Sequence, residues 1–283
     1  MKKILFPTDF SEAAQNAYTY ALHLAEKLDA SITTLHVYLP IYVPSDVMAN
    51  TVGEIRQMQE MEEWENYSEA AKQMHKKAVT EHLEKVEVNH IMEEGSAVEV
   101  ILKTAISEKA DLIVMGTKGA SGILGSLIGS NTATVIEEAP IPVLAVPHNA
   151  RFRPIKKMAI ATDFDKLQES AIAKAIEYAR VFDAELHCIH VDVAHNPLIG
   201  ERMATLCSKF ADTPKLSFEI LEGEDKLNSV EDVLESIDKY IHEKNMNMYV
   251  MQTHKRTFFQ KLFSVSYTKK MALHTDIPLL TFK

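Results

Sequence analysis

The residues whose spacing most suggests chemistry are glycines. The stretch MGTKGASGILGSLIGSNTATV, residues 115–135, holds five of the chain's nine: Gly116, Gly119, Gly122, Gly125 and Gly129. Three of them form a G-x2-G-x9-G-S pattern: Gly116, Gly119 and Gly129, with Ser130 following. A loop that turns successive backbone N–H groups outward makes an anion nest, and a helix N-terminus adds a partial positive charge. Ser130 can donate its hydroxyl to the same anion. The expected chemistry is therefore a phosphate cradle, with a plain surface loop as the alternative. Lys118 either adds charge to the cradle or is simply solvated. The stretch contains no G-x-x-x-x-G-K-[ST], and no G-x-G-x-x-G follows the first strand, so it is neither a Walker A loop nor a dinucleotide fingerprint. No nucleophile–base constellation can be assembled from spacing, and no carboxylate pair flanks the loop.

The elements around the loop read as alternating strands and helices. KILFP is a short buried strand, and Ser11 is an N-cap candidate for a helix running to about Leu28, with Ala14, Ala17, Ala21, Leu22 and Ala25 at helical spacing. SITTLHVY is the second strand, and a long polar–apolar helix is expected between about 54 and 85. VEVNHIM follows as a strand, and then Ser96 with Glu99 forms a capping-box pattern for the next helix. DLIVMG is a strand of the fully buried type, ending at Gly116. A helix opens at Gly129-Ser130, and PVLAVP closes the series. Apolar strands alternating with helices predict a parallel sheet covered on both faces. In such sheets ligands bind outside the carboxyl ends of the strands, which is where Gly116 falls.

The chain also repeats itself. Residues 2–37 match residues 156–191 at a constant offset of 154: Thr8-Asp9-Phe10 falls on Thr162-Asp163-Phe164, and His36-Val37 on His190-Val191. Residues 96–116 match 232–252 at an offset of 136, so the second copy is 18 residues shorter in its middle. Two domain-sized copies are expected, residues 1–150 and 151–283, with the seam near PHNARFRPIKK.

The glycine signature, the Pro7-Thr8-Asp9 strand end, the His36-Val37 strand end and the closing PIPVLAVP resemble the universal stress protein family. The resemblance covers nearly the whole chain as a tandem. It implies a Rossmann-like sheet of five parallel strands in each copy and a nucleotide at the carboxyl edge. By position, the resemblance implies that Asp9 accepts a hydrogen bond from the adenine amino group and that Val37 contacts adenine or ribose through its backbone. Gly116 and Gly119 would face ribose and phosphates, and Gly129, Ser130 and Asn131 would hold the phosphates. Pro7, Thr8 and Met115 complete the expected cofactor-binding set. The implied ligand is ATP, or AMP or ADP, with Mg²⁺ as an accompanying ion for which the sequence offers no obvious ligand. The bland alternative for Asp9 is a cap on the following helix. The family also implies dimerisation through the last strand, here expected between the two copies as an intrachain pseudo-dimer, with a homodimer of chains left open.

The second copy departs from the signature. The offset of 136 puts Gln252 at the place of Gly116, Lys255 at Gly119, Val265 at Gly129 and Tyr267 at Asn131. A β-branched valine does not let phosphate approach the backbone as glycine does. This copy is therefore expected to bind no ATP in the usual way. In place of the loop stands HKRTFFQKLFSVSYTKK, with Phe258, Phe259, Leu262 and Phe263 at helical spacing among lysines and Arg256. These aromatics fill the vacant cleft, meet a protein partner, or lie on a membrane surface.

Composition narrows the classes. A net charge of −10 argues against broad nucleic-acid binding. No apolar run reaches the roughly 18 residues of a membrane helix. Cys188 and Cys207 are the only cysteines, which fits a reducing, cytoplasmic home and offers no cysteine-based zinc site. His187, His190 and His195 invite a metal, but strand alternation puts the first two on opposite faces. Met58, Met61, Trp64, Tyr67 and Met74 give the long helix an apolar side, expected to pack on its own sheet, to cover the nucleotide or to meet a partner. The function expected is nucleotide-dependent stress response or signalling. Slow metal-dependent ATP hydrolysis and a nucleotide-free interaction scaffold are the alternatives.

Overall fold

A computed structural model describes residues 1–44, 49–117, 129–162, 164, 168–192, 196–222, 230–252 and 277–283. These residues fall into two compact units, one drawn from Met1 to Asn149 and the other from Ala150 to Lys283. The first runs β1 (Lys3–Pro7), α1 (Glu12–Leu28), β2 (Ser31–Tyr38), α2 (Ala49–Thr80), β3 (Val88–Glu94), α3 (Ala97–Ser107), β4 (Leu112–Gly116), α4 (Ser130–Glu138) and β5 (Val143–Val146). Its strands lie in the order β3-β2-β1-β4-β5, and every pairing is parallel. The second runs β6 (Lys157–Ala161), α5 (Glu169–Phe182), β7 (Glu185–Asp192), α6 (Ile199–Lys209), β8 (Leu216–Glu222), α7 (Val230–Glu243), β9 (Met248–Gln252) and β10 (Leu279–Phe282). Its order, β8-β7-β6-β9-β10, repeats the same topology, again all parallel.

Each unit is thus a Rossmann-like α/β domain with five parallel strands. Right-handed crossovers place the two helices of the outward-moving half on one face and those of the returning half on the other. Ile4, Leu5, Phe6, Ile113 and Val114 are fully buried in the central strands. This is why the strands read as apolar runs and not as alternations.

Local signals fold as their chemistry demands. Ser11 caps α1, its Oγ accepting the Ala14 N–H at 3.2 Å. The helix ends in a left-handed residue, Asp29 at φ 50°, and the Ala30 N–H returns to the Ala25 carbonyl at 2.9 Å. Asp183 ends α5 identically at φ 53°, with Ala184 bonded back to Ala179 at 2.9 Å. The repeated Asp-Ala pair therefore encodes a helix stop.

Three expectations shift. The long helix runs Ala49–Thr80, beginning and ending about five residues earlier than its periodicity suggested, and the third strand is Val88–Glu94. Ser96 does occupy the N-cap of α3, in extended conformation, yet its side chain makes no cap bond. The apolar side of α2 divides: Tyr67 and Met74 are buried, whereas Met58, Met61 and Trp64 are 70%, 59% and 55% exposed. Thirty-two residues span about 48 Å, far beyond a strand of five to eight residues, so the first half of α2 has no sheet beneath it.

Candidate functional site

The strand order reverses direction between β1 and β4, and the expected site residues gather around the carboxyl ends of these strands. Pro7 is the last residue of β1 and is buried, and Thr8 is held by its N–H bond to the Leu35 carbonyl at 2.9 Å. Asp9 is exposed just beyond, and its Oδ1 accepts the Ser11 N–H at 3.1 Å. The carboxylate therefore shapes the turn into α1, while the cap of the helix itself is Ser11 and not Asp9. Val37 is half-buried near the end of β2, opposite Glu93 of β3.

Met115 and Gly116 end β4, and the Gly116 backbone is drawn into a small lattice of bonds. Thr132 Oγ1 donates to the Gly116 carbonyl at 2.9 Å, and the Gly129 N–H donates to the Thr117 carbonyl. The Thr117 N–H in turn donates to Val146 of β5 at 2.9 Å. These bonds dock the start of α4 against the end of β4. Gly129 is the N-cap, at φ −62° and ψ 150°, with no side chain to cap the helix and no acidic residue in its first turn. Ser130 and Asn131 are exposed. The first N–H groups of α4 thus lack side-chain capping, the condition under which a helix N-terminus takes an anion. Gly119 lies outside the described residues, as do Gly122, Gly125 and Lys118.

Gly116 has a packing reason that the spacing did not reveal. A Cβ there would meet the Ala13 carbonyl oxygen at 3.0 Å and its carbon at 3.1 Å, so glycine lets α1 lie directly against β4. Thr117 and Thr132 were also missed, and both are buried. A threonine at the apolar spacing of Val135 and Ile136 was the signal for Thr132, since all three face inward.

Electrostatics differ between the two ends of this edge. Burial, and then the carboxylates of Glu60, Glu94, Glu63 and Glu93, raise the Tyr38 phenol above its ordinary range at the end of β2. An anion is therefore disfavoured over β2 and β3 and favoured over β4 and α4. Between them, the Phe10 ring lies 4.5 Å from His36, centroid to centroid, and 5.5 Å from Tyr67. His36 Nδ1 lies 3.1 Å from the Thr8 carbonyl, and its Nε2 is 3.5 Å from Glu63.

The Thr-x-Phe…His arrangement recurs in the second unit. The Phe164 N–H donates to Thr162 Oγ1 at 3.1 Å, as that of Phe10 does to Thr8. His190 Nδ1 lies 2.9 Å from the Thr162 carbonyl, and Phe164 is 5.6 Å from His190. Phe10 and Phe164 share a left-handed φ, 62° and 52°. Because this turn persists where the signature glycines are lost, it is scaffold shared by both copies. Gln252 ends β9 where Gly116 ends β4, while Asp163, His195 and the whole HKRTFFQKLFSVSYTKK segment lie outside the described residues. His187 packs on Tyr240 of α7, with Nδ1 2.9 Å from its hydroxyl. Among the described residues no three His, Cys, Asp or Glu side chains could hold a metal ion, and no helix is long and apolar enough to cross a membrane.

Comparison with known proteins agrees with the duplicated topology. The model of the universal stress protein family matches residues 1–147 and again residues 154–283. The chain belongs to this family, as a tandem. A universal stress protein of Methanocaldococcus jannaschii is 33% identical over 148 residues, covering 51% of this chain and 81% of the relative. A universal stress protein of Synechocystis is 26% identical over 302 positions and covers 100% of both chains, so the tandem arrangement is shared along its full length. The solved structure of a universal stress protein from Archaeoglobus fulgidus has a TM-score of 0.67 at 18% identity, covering 99% of this chain and 96% of that one; this likeness concerns the universal stress protein fold.

Proposed function

We propose that the first unit, within residues 1–150, binds an adenine nucleotide, in the first instance ATP, and that the chain acts as a nucleotide-dependent stress-response or signalling protein. The observation that carries this reading is the N-terminus of α4. It is capped by a glycine, lacks acidic residues in its first turn and is bonded to the end of β4 at the reversal of strand order. The electrostatic contrast orients the ligand, with phosphates over Gly116, Gly129, Ser130 and Asn131. The base lies toward Asp9 and the backbone of Val37. Gly119 would complete the cradle. The second unit, residues 151–283, is a degenerate copy that binds no ATP, because glutamine and valine stand where the signature has glycine. Among the described residues no general base stands beside the phosphate end, and Asp9 belongs to the base end, so turnover is at most slow.

The test is calorimetric titration of the nucleotide-stripped full chain with ATP, with and without Mg²⁺. One site per chain is expected, and it should disappear in Gly129→Val. Gly129 already has φ and ψ values that valine adopts. That variant therefore removes close approach without straining the backbone. Two sites per chain would overturn the reading of the second unit. Absence of binding would replace the nucleotide function with that of an interaction scaffold.

A further inference from the structure

Among the described residues ten large apolar side chains are exposed, and six of them fall between residues 39 and 64: Leu39, Ile41, Tyr42, Met58, Met61 and Trp64. Single exposed apolar residues are ordinary, whereas a concentration of them on one segment marks an interaction surface. Met58, Met61 and Trp64 stand three residues apart on α2, so together they span about 120° of its circumference over about 9 Å of its length. The surface is held in shape. Gln59 is buried and bridges α2 to the preceding loop with both ends of its amide: Nε2 donates to the Leu39 carbonyl at 2.7 Å, and Oε1 accepts the Ile41 N–H at 2.9 Å. The Trp64 indole meets the buried Tyr67 ring edge-on, with centroids 6.2 Å apart. A face already ordered in this way loses less entropy when it is covered.

The charge around this face has one sign. Over residues 49–71 the helix carries six glutamates and a single basic residue, Arg56. Glu63 meets His36 and Glu69 meets Lys72, but Glu54, Glu60, Glu62 and Glu65 form no ion pair among the described residues. Glu54, Glu62 and Glu65 each stand four residues from Met58 or Met61, the spacing at which helical side chains are neighbours. Apolar face and free carboxylates together select the occupant. A second copy of the same face is unsuitable, because a two-fold pairing centred on Met61 would set Glu60 of one chain against Glu62 of the other. An anionic membrane surface or a nucleic acid is repelled by the same carboxylates. A helix presents no backbone edge to an added strand, so the element that packs on it is another helix.

We propose that the outer face of the first half of α2, with the loop clamped beside it, docks a basic amphipathic helix of a partner protein. Apolar residues of that helix cover Met58, Met61 and Trp64, and lysines or arginines on its flanks meet Glu54, Glu62 and Glu65. None of these residues belongs to the proposed nucleotide set, so the surface stands or falls without nucleotide.

Trp64 is the only tryptophan of the chain and reports on this face directly. The nucleotide-free full chain is titrated with a peptide of two Leu-Lys-Lys-Leu-Leu-Lys-Leu heptads, a basic amphipathic helix without tryptophan. Trp64 emission should shift to the blue and become shielded from acrylamide, saturating at one equivalent. Met61→Ser, at an exposed position where circular dichroism should report an unchanged fold, should weaken binding about tenfold or more, as for a central interface residue. Glu62→Lys combined with Glu65→Lys should weaken it to a similar degree and flatten its dependence on salt. Glu201→Lys combined with Glu235→Lys changes the net charge equally, on exposed positions of α6 and α7, and should leave binding within about twofold of the parent. The same peptide with glutamate in place of lysine should not bind. The proposal is overturned if Trp64 shows no saturable change, if the α6–α7 pair weakens binding as much as the α2 pair, or if the acidic peptide binds equally well. It is overturned in favour of a second copy if Trp64 is shielded in the peptide-free chain and becomes exposed on dilution.

Discussion

Replacing Gly116 by alanine separates two reasons for a glycine at the end of β4. The added methyl would lie 3.0 Å from the Ala13 carbonyl oxygen, 3.1 Å from its carbon and 3.4 Å from the Ala14 nitrogen. These are backbone atoms of the first turn of α1, fixed by the Ser11 cap and unable to swing aside as a side chain would. Relief requires α1 to shift against β4, an overpacking cost of about 1–3 kcal/mol. For a unit of this size that corresponds to a fall in Tm of roughly 3–10 °C in the nucleotide-free protein. Gly53→Ala supplies the contrast. Nothing lies within 4 Å of its added Cβ near the start of α2, so it should stabilise by about 0.5–1 kcal/mol. Calorimetric melts of the nucleotide-stripped variants read both effects. If Gly116→Ala melts within about 1 °C of the parent, the packing argument fails. Should its ATP affinity fall at the same time, the glycine serves the ligand and not the helix.

The remaining predictions concern protons and thiols. Burial holds the His90 imidazole below its ordinary range, where Nδ1 lies 2.7 Å from Thr34 Oγ1 and the ring meets Tyr67 edge-on. The unfolded chain then binds more protons than the folded one as pH falls below about 6.5, so stability is lost from there down through the folded pKa. Urea midpoints measured from pH 7.5 to 5 should decline in the parent and decline less in His90→Gln; equal slopes would remove His90 as the cause. Cys188 is fully buried in β7, its thiol pushed up by burial, while Cys207 is exposed on α6. An aromatic disulfide reagent should titrate one thiol per folded chain and the second only on unfolding, and two fast thiols would contradict the placement.

The duplication and the alternation of elements were readable because each rests on short-range regularity. Apolar runs bounded by turns, an N-cap serine and a helix-stopping Asp-Ala pair act within a few residues, and the runs and the Asp-Ala stop recur in the second copy. The glycine signature pointed to the end of β4 and the start of α4, since a strand end and a helix start are local events. The exposure of Met58, Met61 and Trp64 was not readable. It depends on how far α2 outruns the sheet, which the spacing of apolar residues does not encode.

The sequence by itself determined two α/β units of one family, the position of the glycine-rich stretch and its loss from the second copy. Only the tertiary structure decided that Gly116 makes room for α1. It alone docked Thr132 onto the Gly116 carbonyl. The physical reason is distance along the chain: Ala13 and Gly116 meet because parallel crossovers stack remote helices on one sheet. No local pattern records the gap left between such neighbours.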